Sequence, residues 1–216
     1  MNIQDIHIIS YPAVIFSDPH TNLTNLKKLK GLYPNSQFIC LGDFTFLFEK
    51  TGFTFNQCSI QYFIDNNIPA LEGNHEAFLV AASNDDKFVT QMVIGNPPNF
   101  NLSGKHLQFL ENLPRGFKII LPNGDNYYAF HNEPKQLWNF PDKINEEYFK
   151  SNYIFDERTL GVVCGHLHRN QIDTFPNIKT KRYVVGQLCG KDHHSGENTG
   201  RNYLILTEKG LEYKKL

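Results

Sequence analysis

One arrangement recurs five times along the chain: a short apolar run ends abruptly in a cluster of polar side chains. Each run has four or five residues, a length that favours β-strands buried on both faces. In α/β proteins, ligands collect outside the carboxyl ends of such strands. The sequence therefore predicts one functional site assembled from five strand ends. The runs cover residues 12–16, 37–41, 68–71, 127–130 and 161–164.

Three stretches between or after these runs have apolar residues at roughly helical spacing, and each predicts an amphipathic helix. The first stretch has Asn22 or Thr21 as its N-cap residue. The last begins at Ser103 and ends before Pro114, which cannot continue a helix. The stretches are residues 23–33, 55–66 and 103–112.

The pattern changes to strands after Arg182, over residues 183–185, 203–206 and 211–213, and Gly210 favours a hairpin between the last two. Strands that alternate with helices and then end in a hairpin predict an α/β fold with a mixed sheet. The composition of the 216 residues, 40% hydrophobic and 20% charged, is that of a globular protein. We expect a single domain over residues 1–216.

The formal net charge of −1 provides no strong field that would attract nucleic acid or a membrane surface. The densest basic stretch, residues 179–182, fits either a solvated turn or a phosphate contact. No apolar run approaches the ~20 residues that span a bilayer, and the N-terminus lacks the pattern of a secretory signal. None of the four cysteines lies in a C-x-x-C pair, and Cys40 and Cys164 fall within apolar runs. Reduced thiols and a cytoplasmic location are therefore expected.

The polar clusters carry carboxylate, amide and imidazole groups. Asp18 and His20 follow the first run two residues apart, a spacing that lets both side chains point the same way if the strand continues. Taken singly, this pair fits an ordinary turn, and so does Asp43 after the second run. His166 and His168 flank a leucine directly after the last run, an arrangement typical of a metal site.

The third cluster adds Asn74 and His75 after Gly73, which permits a sharp turn, and the fourth adds His131. Together, the hard oxygen and borderline nitrogen ligands of all the clusters suit Mn, Fe, Zn or Ni better than Ca or Cu(I). Two ions about 3.5–4 Å apart clamp the attacking and leaving oxygens of a displacement at phosphorus. A carboxylate bridges such ions well, and the ions lower the pKa of a bound water enough to form hydroxide near neutral pH. The residues therefore indicate two-metal hydrolysis at phosphorus.

The set and order of these residues resemble the calcineurin-like metallophosphoesterase superfamily, in particular its small single-domain bacterial, archaeal and phage members. The pattern of that superfamily runs D-x-H, G-D, G-N-H-D/E, H and G-H-x-H, and every motif is present here between Asp18 and His168. The resemblance implies a four-layer αββα sandwich, in which two mixed β-sheets lie between two layers of helices.

The resemblance also implies how the site residues divide their roles. Asp43 bridges two divalent transition-metal ions, with Mn²⁺ as the first expectation and Fe, Zn or Ni as alternatives. His75 is not a ligand but acts as a general acid toward the leaving oxygen, or stabilises charge on the phosphoryl group. Glu76 starts the following helix, where the helix dipole favours it, and has a structural role. One ion is held by Asp18, His20 and His168, and the other by Asn74, His131 and His166.

The sequence departs from the superfamily in its second motif. Many phosphomonoesterases of the superfamily, the Ser/Thr protein phosphatases among them, have G-D-x-x-D-R-G, in which the second Asp supports the catalytic His and the Arg grips the phosphate. Phe46 and Leu47 stand at those two places here, which argues against a protein phosphatase. Candidate replacements for the phosphate contact are Arg169, His193 and His194, although exposed surface positions explain these three residues equally well.

We therefore expect a metal-dependent phosphoesterase that acts on a small phosphorylated substrate, either a phosphomonoester or a phosphodiester. A nuclease of the DNA-repair type is one alternative, since such enzymes share the G-N-H and G-H-x-H motifs. The short chain, the lack of a capping domain and the neutral charge argue against it. A non-catalytic scaffold with this fold is the other alternative, but such a protein should have lost ligands. No obligate protein partner is indicated.

Overall fold

The computed structural model describes residues 2–46, 52–84, 102–132, 143–190 and 200–216. These ranges contain ten strands and five helices. The strands are β1 (Ile3–His7), β2 (Ala13–Phe16), β3 (Gln37–Cys40), β4 (Gly116–Ile120), β5 (Asn126–Phe130), β6 (Thr159–Cys164), β7 (Gln171–Phe175), β8 (Ile178–Val184), β9 (Asn202–Thr207) and β10 (Gly210–Lys215). The helices are α1 (Leu23–Leu32), α2 (Gly52–Asp65), α3 (Asn74–Ser83), α4 (Gly104–Glu111) and α5 (Glu146–Asn152).

The strands form two mixed sheets. The larger sheet has six strands in the order β1-β4-β5-β6-β8-β7, and the smaller has four in the order β10-β9-β2-β3. Parallel pairs include β2 with β3 and β5 with β6, whereas β4 pairs with β5 and β9 with β10 in antiparallel orientation. Because β2, β3, β5 and β6 all run into polar clusters, their carboxyl ends are the places where site residues can gather.

The inner faces of the two sheets enclose one of the apolar cores. Ile15, Ile39 and Leu204 of the smaller sheet belong to the same buried cluster as Ile119 and Val163 of the larger sheet. Along β2, Ala13 and Ile15 belong to this inner core, while Val14 and Phe16 belong to the cluster on the opposite face. Both faces of β2 are therefore buried, as the continuous apolar run predicts.

A helix layer covers the outer face of each sheet. Helices α1–α4 contribute Leu26, Phe63, Leu79 and Leu110 to the cluster that includes Phe16 of the smaller sheet. On the other side, Phe149 of α5 packs with Tyr128, Phe130 and Val162 of the larger sheet. The layers follow one another as helix, sheet, sheet and helix, so the predicted four-layer αββα sandwich with two mixed sheets is confirmed.

Most of the predicted elements are present. The runs at residues 12–16, 37–41, 127–130 and 161–164 form β2, β3, β5 and β6, and the C-terminal hairpin is β9–β10. The three predicted helices correspond to α1, α2 and α4, and the side chains of Asn22 and Ser103 cap α1 and α4. The pattern did not predict β1, β4, β7 or α5. The helix expected to start at Glu76 is α3, which starts at Asn74.

The prediction of a strand at residues 68–71 is wrong. This segment makes only an isolated bridge between Cys40 and Ala70. The Ile68 N–H donates to the Phe63 carbonyl at the end of α2, and Pro69 has no N–H to donate. Too few donors are left for a ladder, although Leu71 N still donates to the Cys40 carbonyl and holds the segment beside β3.

No disulfide bond joins any two of the four cysteines, all of which lie in the described residues, and Cys40 and Cys164 are buried. Among the described residues, none of the helices combines the length and the apolar character required to cross a membrane.

The inner core predicts that alanine substitutions at two isoleucines differ strongly in their effect on stability. Ile39 is fully buried between the sheets, and we expect Ile39→Ala to lower the free energy of unfolding by about 3 kcal/mol, because it removes apolar contacts and leaves a cavity. Ile9 is 88% exposed, so Ile9→Ala should change stability by less than about 0.5 kcal/mol. Urea unfolding of the metal-free protein measures both, and equal shifts would contradict this description of the core.

Candidate metal centre

The candidate site lies at one end of the sandwich, where strands from both sheets terminate. The polar segments that follow β2 and β3 come from the smaller sheet, and those that follow β5 and β6 come from the larger sheet. The amino end of α3 completes the site. The structure brings together all of the predicted ligands, namely Asp18, His20, Asp43, Asn74, His131, His166 and His168, with His75 beside them.

The backbone at the site is unusual. Positive φ angles, which non-glycine residues rarely adopt, cost about 1–3 kcal/mol each and concentrate at functional positions. Asp18 and His20 direct their side chains to the same place, as expected, but not by continuing the strand: their φ angles are 53° and 41°, and a left-handed backbone directs both side chains into the site. Five of the seven predicted ligands have positive φ: Asp18, His20, Asp43, His166 and His168.

A first group of donor atoms comes from Asp18, His20 and His168. The Nε2 atoms of His20 and His168 are 3.1 Å apart, and Asp18 Oδ1 lies 3.3 Å from the latter and 3.8 Å from the former. Two nitrogen ligands each about 2.1 Å from one ion, at a right angle, are separated by about 3 Å. Asp18 Oδ1 is buried and has no hydrogen-bond partner among the described residues. These residues fit a metal ion.

A second group comes from Asn74, His131 and His166, together with Asp43. Asn74 Oδ1 is 3.0 Å from His131 Nε2 and 2.9 Å from His166 Nδ1. Asp43 Oδ2 is 3.2 Å from His131 Nε2. Amide oxygen, carboxylate oxygen and imidazole nitrogen therefore converge within ligand-to-ligand distances here as well.

Hydrogen bonds from the surrounding backbone orient the ligands. One oxygen of each carboxylate accepts a backbone N–H, with Asp18 Oδ2 3.0 Å from His166 N and Asp43 Oδ1 3.0 Å from His75 N. His131 Nδ1 donates to the Leu41 carbonyl at 2.8 Å. The remaining atoms, Oδ1 of Asp18, Oδ2 of Asp43 and Nε2 of His131, are thus directed into the site, as partners of this kind do in metal centres.

His75 lies against both groups without being part of either. Its side chain is buried, its ring centroid is 4.8 Å from that of His20, and its Nε2 is 3.8 Å from Asp43 Oδ2. The donor atoms of His20, Asp43 and His75 also lie within 4.8 Å of one another. His75 is therefore close enough to contact a group bound at the centre.

Comparison with known proteins was made at the levels of sequence and structure. Neither a protein-family model nor a curated protein matches the chain. A metallophosphoesterase from Sphaerobacter thermophilus matches in structure with a TM-score of 0.64 and 18% identity, over 95% of this chain and 88% of that one. The chain has the metallophosphoesterase fold. The fold that the motif pattern implied is thereby confirmed.

Two further solved structures share this metallophosphoesterase fold. A serine/threonine phosphatase from Saccharomyces cerevisiae has a TM-score of 0.57 and 11% identity, over 99% of this chain and 84% of that one. An archaeal phosphodiesterase has a TM-score of 0.52 and 17% identity, over 95% and 98% of the two chains.

Glu76 organises the site, although the motif pattern suggested only a helix-start role for it. The carboxylate is fully buried and accepts hydrogen bonds from Asp43 N at 2.8 Å, Gly73 N at 3.0 Å, and both N and Oγ1 of Thr45 at 2.8 and 2.7 Å. Burial, and then the neighbouring Asp43 carboxylate, raise the pKa of Glu76 to about 7, while the Thr45 donors act in the opposite direction. The signal in the sequence is an acid three residues after the helix N-cap Gly73, the capping-box position.

Glycine is required at two points of this metallophosphoesterase-fold site. A Cβ on Gly73 would collide with the backbone nitrogen and side chain of Asp43. Gly42 has a φ of +106°, and a Cβ there would lie 2.8 Å from His131 Nδ1. The chain can approach the ligands this closely only without a side chain.

The charges in the site are strongly coupled. Burial opposes ionisation of Asp43, but His131 and His75 hold the pKa of that carboxyl well below its ordinary value. Burial likewise opposes protonation of His131, yet Asp43 outweighs it and raises the pKa of His131 to about 9. Burial and the charge of His131 lower the pKa of His166 to about 4. In the metal-free protein, His131 therefore keeps its proton at neutral pH.

Of the three candidate phosphate contacts, Arg169 lies in the described residues. Arg169 is exposed, and its Nε donates to Gln171 Oε1 at 3.1 Å, toward β7. His193, His194 and Leu47 lie outside the described residues. Phe46, at the place of the Asp in G-D-x-x-D-R-G, is buried beside His75.

Substitution of Glu76 should destabilise the protein. Glu76→Gln replaces one acceptor oxygen with an NH₂ group that faces backbone N–H donors, and we expect the free energy of unfolding to fall by about 2 kcal/mol. The matched control is Glu72→Gln, which removes only the ion pair with the half-exposed Arg115 and should cost less than about 1 kcal/mol. Chemical denaturation of the metal-free protein gives both values, and equal losses would show that the four hydrogen bonds add little stability.

Metal binding should release protons. Because His131 is protonated below about pH 9 in the free protein, an ion must displace that proton, so affinity for Mn²⁺ should rise with pH toward about 9 and level off above it. Calorimetric titration at about pH 7, in buffers of different ionisation enthalpy, measures the number of protons released. His131→Gln should release about one proton fewer, and no release from the wild-type protein would contradict the assigned charge state.

Proposed function

We propose that this chain is a dinuclear metal-dependent phosphoesterase that hydrolyses a phosphomonoester or phosphodiester of a small substrate. One observation carries the proposal: the donor atoms of seven side chains converge in two adjoining groups, with Asp43 between them. Structures that share the fold include a metallophosphoesterase and an archaeal phosphodiesterase, which supports hydrolysis at phosphorus as the type of chemistry.

The proposed cofactors are two divalent transition-metal ions, Mn²⁺ before Fe, Zn or Ni, because the donor set mixes carboxylate, amide and imidazole groups. When bound, such ions polarise the phosphoryl oxygens and activate water. Asp43 is the proposed bridging ligand, since its Oδ1 is engaged by the His75 N–H and its Oδ2 faces His131. The first ion would be held by Asp18, His20 and His168, and the second by Asn74, His131 and His166.

His75 is proposed to donate a proton to the leaving oxygen or to stabilise charge on the phosphoryl group. The Nε2 atom of His75 is 3.8 Å from Asp43 Oδ2, the same separation as that between His20 Nε2 and Asp18 Oδ1. The distance places His75 within reach of a group bound at the centre, and the G-N-H motif, in which the histidine is not a ligand, supports a role next to the ions. Burial lowers the pKa of His75, and the Asp43 carboxylate acts in the opposite direction.

The proposal favours a small substrate over a phosphoprotein. In the G-D-x-x-D-R-G pattern, the second Asp supports the catalytic His and the Arg grips the phosphate, and here Phe46 and Leu47 replace them. Arg169 directly follows the candidate ligand His168, and its Nε donates to Gln171 Oε1; it is the candidate for the phosphate contact within the described residues.

Activity should depend on metal and on two residues in different ways. With Mn²⁺, the wild-type protein should hydrolyse an aryl phosphomonoester or bis(p-nitrophenyl) phosphate, and chelation should abolish this activity. Asp43→Asn should lose both turnover and the second equivalent of metal. His75→Ala should lower kcat by about 100-fold and keep both equivalents, because it removes proton transfer and not a ligand.

The matched control is His7→Ala, since His7 is an exposed histidine on the edge strand β1, and its substitution should leave kcat unchanged. Initial rates on the monoester, the diester and single-stranded DNA are compared side by side, and bound metal is measured by elemental analysis. Protein that contains two equivalents of Mn²⁺ and cleaves none of the three would refute the enzyme proposal. Cleavage of DNA well above both small esters would instead indicate the nuclease alternative.

A further inference from the structure

Phe46 contacts two histidines of the site. Its ring is stacked on the imidazole of His75, with centroids 5.4 Å apart and planes inclined by 15°. The same ring meets His20 edge-on, with centroids 5.5 Å apart and planes inclined by 75°. Only 6% of Phe46 is exposed, so the ring is held inside the protein rather than lying on the rim of the site.

The backbone of Phe46 is fixed by a buried amide side chain. Asn56 of α2 accepts from Phe46 N and donates to the Phe46 carbonyl, both at 2.7 Å. Two residues earlier, the Phe44 carbonyl accepts from Ser59 Oγ at 2.7 Å, and Thr45 N is held by Glu76. With both backbone groups of Phe46 engaged, its ring has little freedom to move away from His75.

We propose that Phe46 is a positioning residue for His75, and that its ring sets the plane of the imidazole. The inference rests on the catalytic role proposed above for His75. In the G-D-x-x-D-R-G pattern, an Asp at this position supports the catalytic His, and a phenyl ring cannot accept a hydrogen bond as that carboxylate can. Offset stacking supplies a different constraint, because it restricts rotation of the imidazole about the Cβ–Cγ bond of His75. A small misplacement of a catalytic group is costly to the rate, so this constraint matters for turnover.

A double-mutant cycle tests whether Phe46 acts through His75. Phe46→Leu should lower kcat about tenfold, with KM within about twofold of wild type and two equivalents of Mn²⁺ retained. In the His75→Ala background, Phe46→Leu should have no further effect on kcat. Phe149→Leu is the matched control, since Phe149 of α5 is also buried and stacks on Phe175 of β7, in the cluster on the outer face of the larger sheet. It should leave kcat unchanged.

Two results would overturn the proposal. An equal loss of kcat from Phe46→Leu in both backgrounds would mean that Phe46 does not act through His75. Loss of a metal equivalent would mean that the ring supports the ligand His20 instead. If Phe46→Leu does not fold, Phe46→Met removes the ring while keeping most of the volume, and the same cycle is measured with it.

A second measurement separates this inference from the proposed function. In the NMR spectrum of the metal-free protein, the ring protons of His75, identified by their absence in His75→Ala, should move downfield in Phe46→Leu, because the stacked phenyl ring no longer shields them. Unchanged resonances would show that the two rings are not stacked in solution. If the wild-type protein hydrolyses no ester, the proposed function fails, while this measurement still decides whether Phe46 holds His75.

Discussion

The geometry of the candidate centre depends on one buried carboxylate. Glu76 accepts four hydrogen bonds from three residues, and these bonds tie the segment after β3 to the amino end of α3. Asp43 and Thr45 belong to that segment, and the Thr45 carbonyl is 3.4 Å from Nδ1 of His20. A single side chain outside both donor groups thus holds the backbone of Asp43 directly and the imidazole of His20 through Thr45.

The left-handed backbone at the candidate ligands of the smaller sheet is held by hydrogen bonds between two neighbouring segments. The segments after β2 and β3 bond to each other, with Asp18 N donating to the Gly42 carbonyl and His20 N to the Asp43 carbonyl. These bonds hold residues in conformations that would relax in an isolated peptide. The cost is offset by the packed core beneath, where β2 and β3 are buried on both faces. The buried strands β2 and β3 therefore stabilise the strained backbone of the segments that follow them.

The sequence predicts the fold, and it predicts which polar side chains converge, because four of the five motifs directly follow a buried strand and the ends of these strands meet. The sequence predicts a residue's role less well where that role depends on contacts with residues far away in the chain. The capping-box position of Glu76 signals its bond with Gly73 N, but the three bonds from Asp43 and Thr45 have no local signal, since these residues are more than 30 positions away. Strand β1 escapes prediction because it is an edge strand with mostly exposed side chains, and the strand expected at residues 68–71 fails because of Pro69. The stacking of Phe46 on His75 likewise requires the tertiary structure.

The site draws its donors from both sheets, and this has a consequence for the assembly of the protein. His20 and His168, whose Nε2 atoms face each other, are 148 residues apart in the chain. During synthesis from the amino terminus, the first group is incomplete until β6 and the segment after it have emerged and joined the larger sheet. An ion that occupied this group would then cross-link the early and late parts of the chain. Separation of the two sheets would require the ion to be released first, so bound metal would slow unfolding.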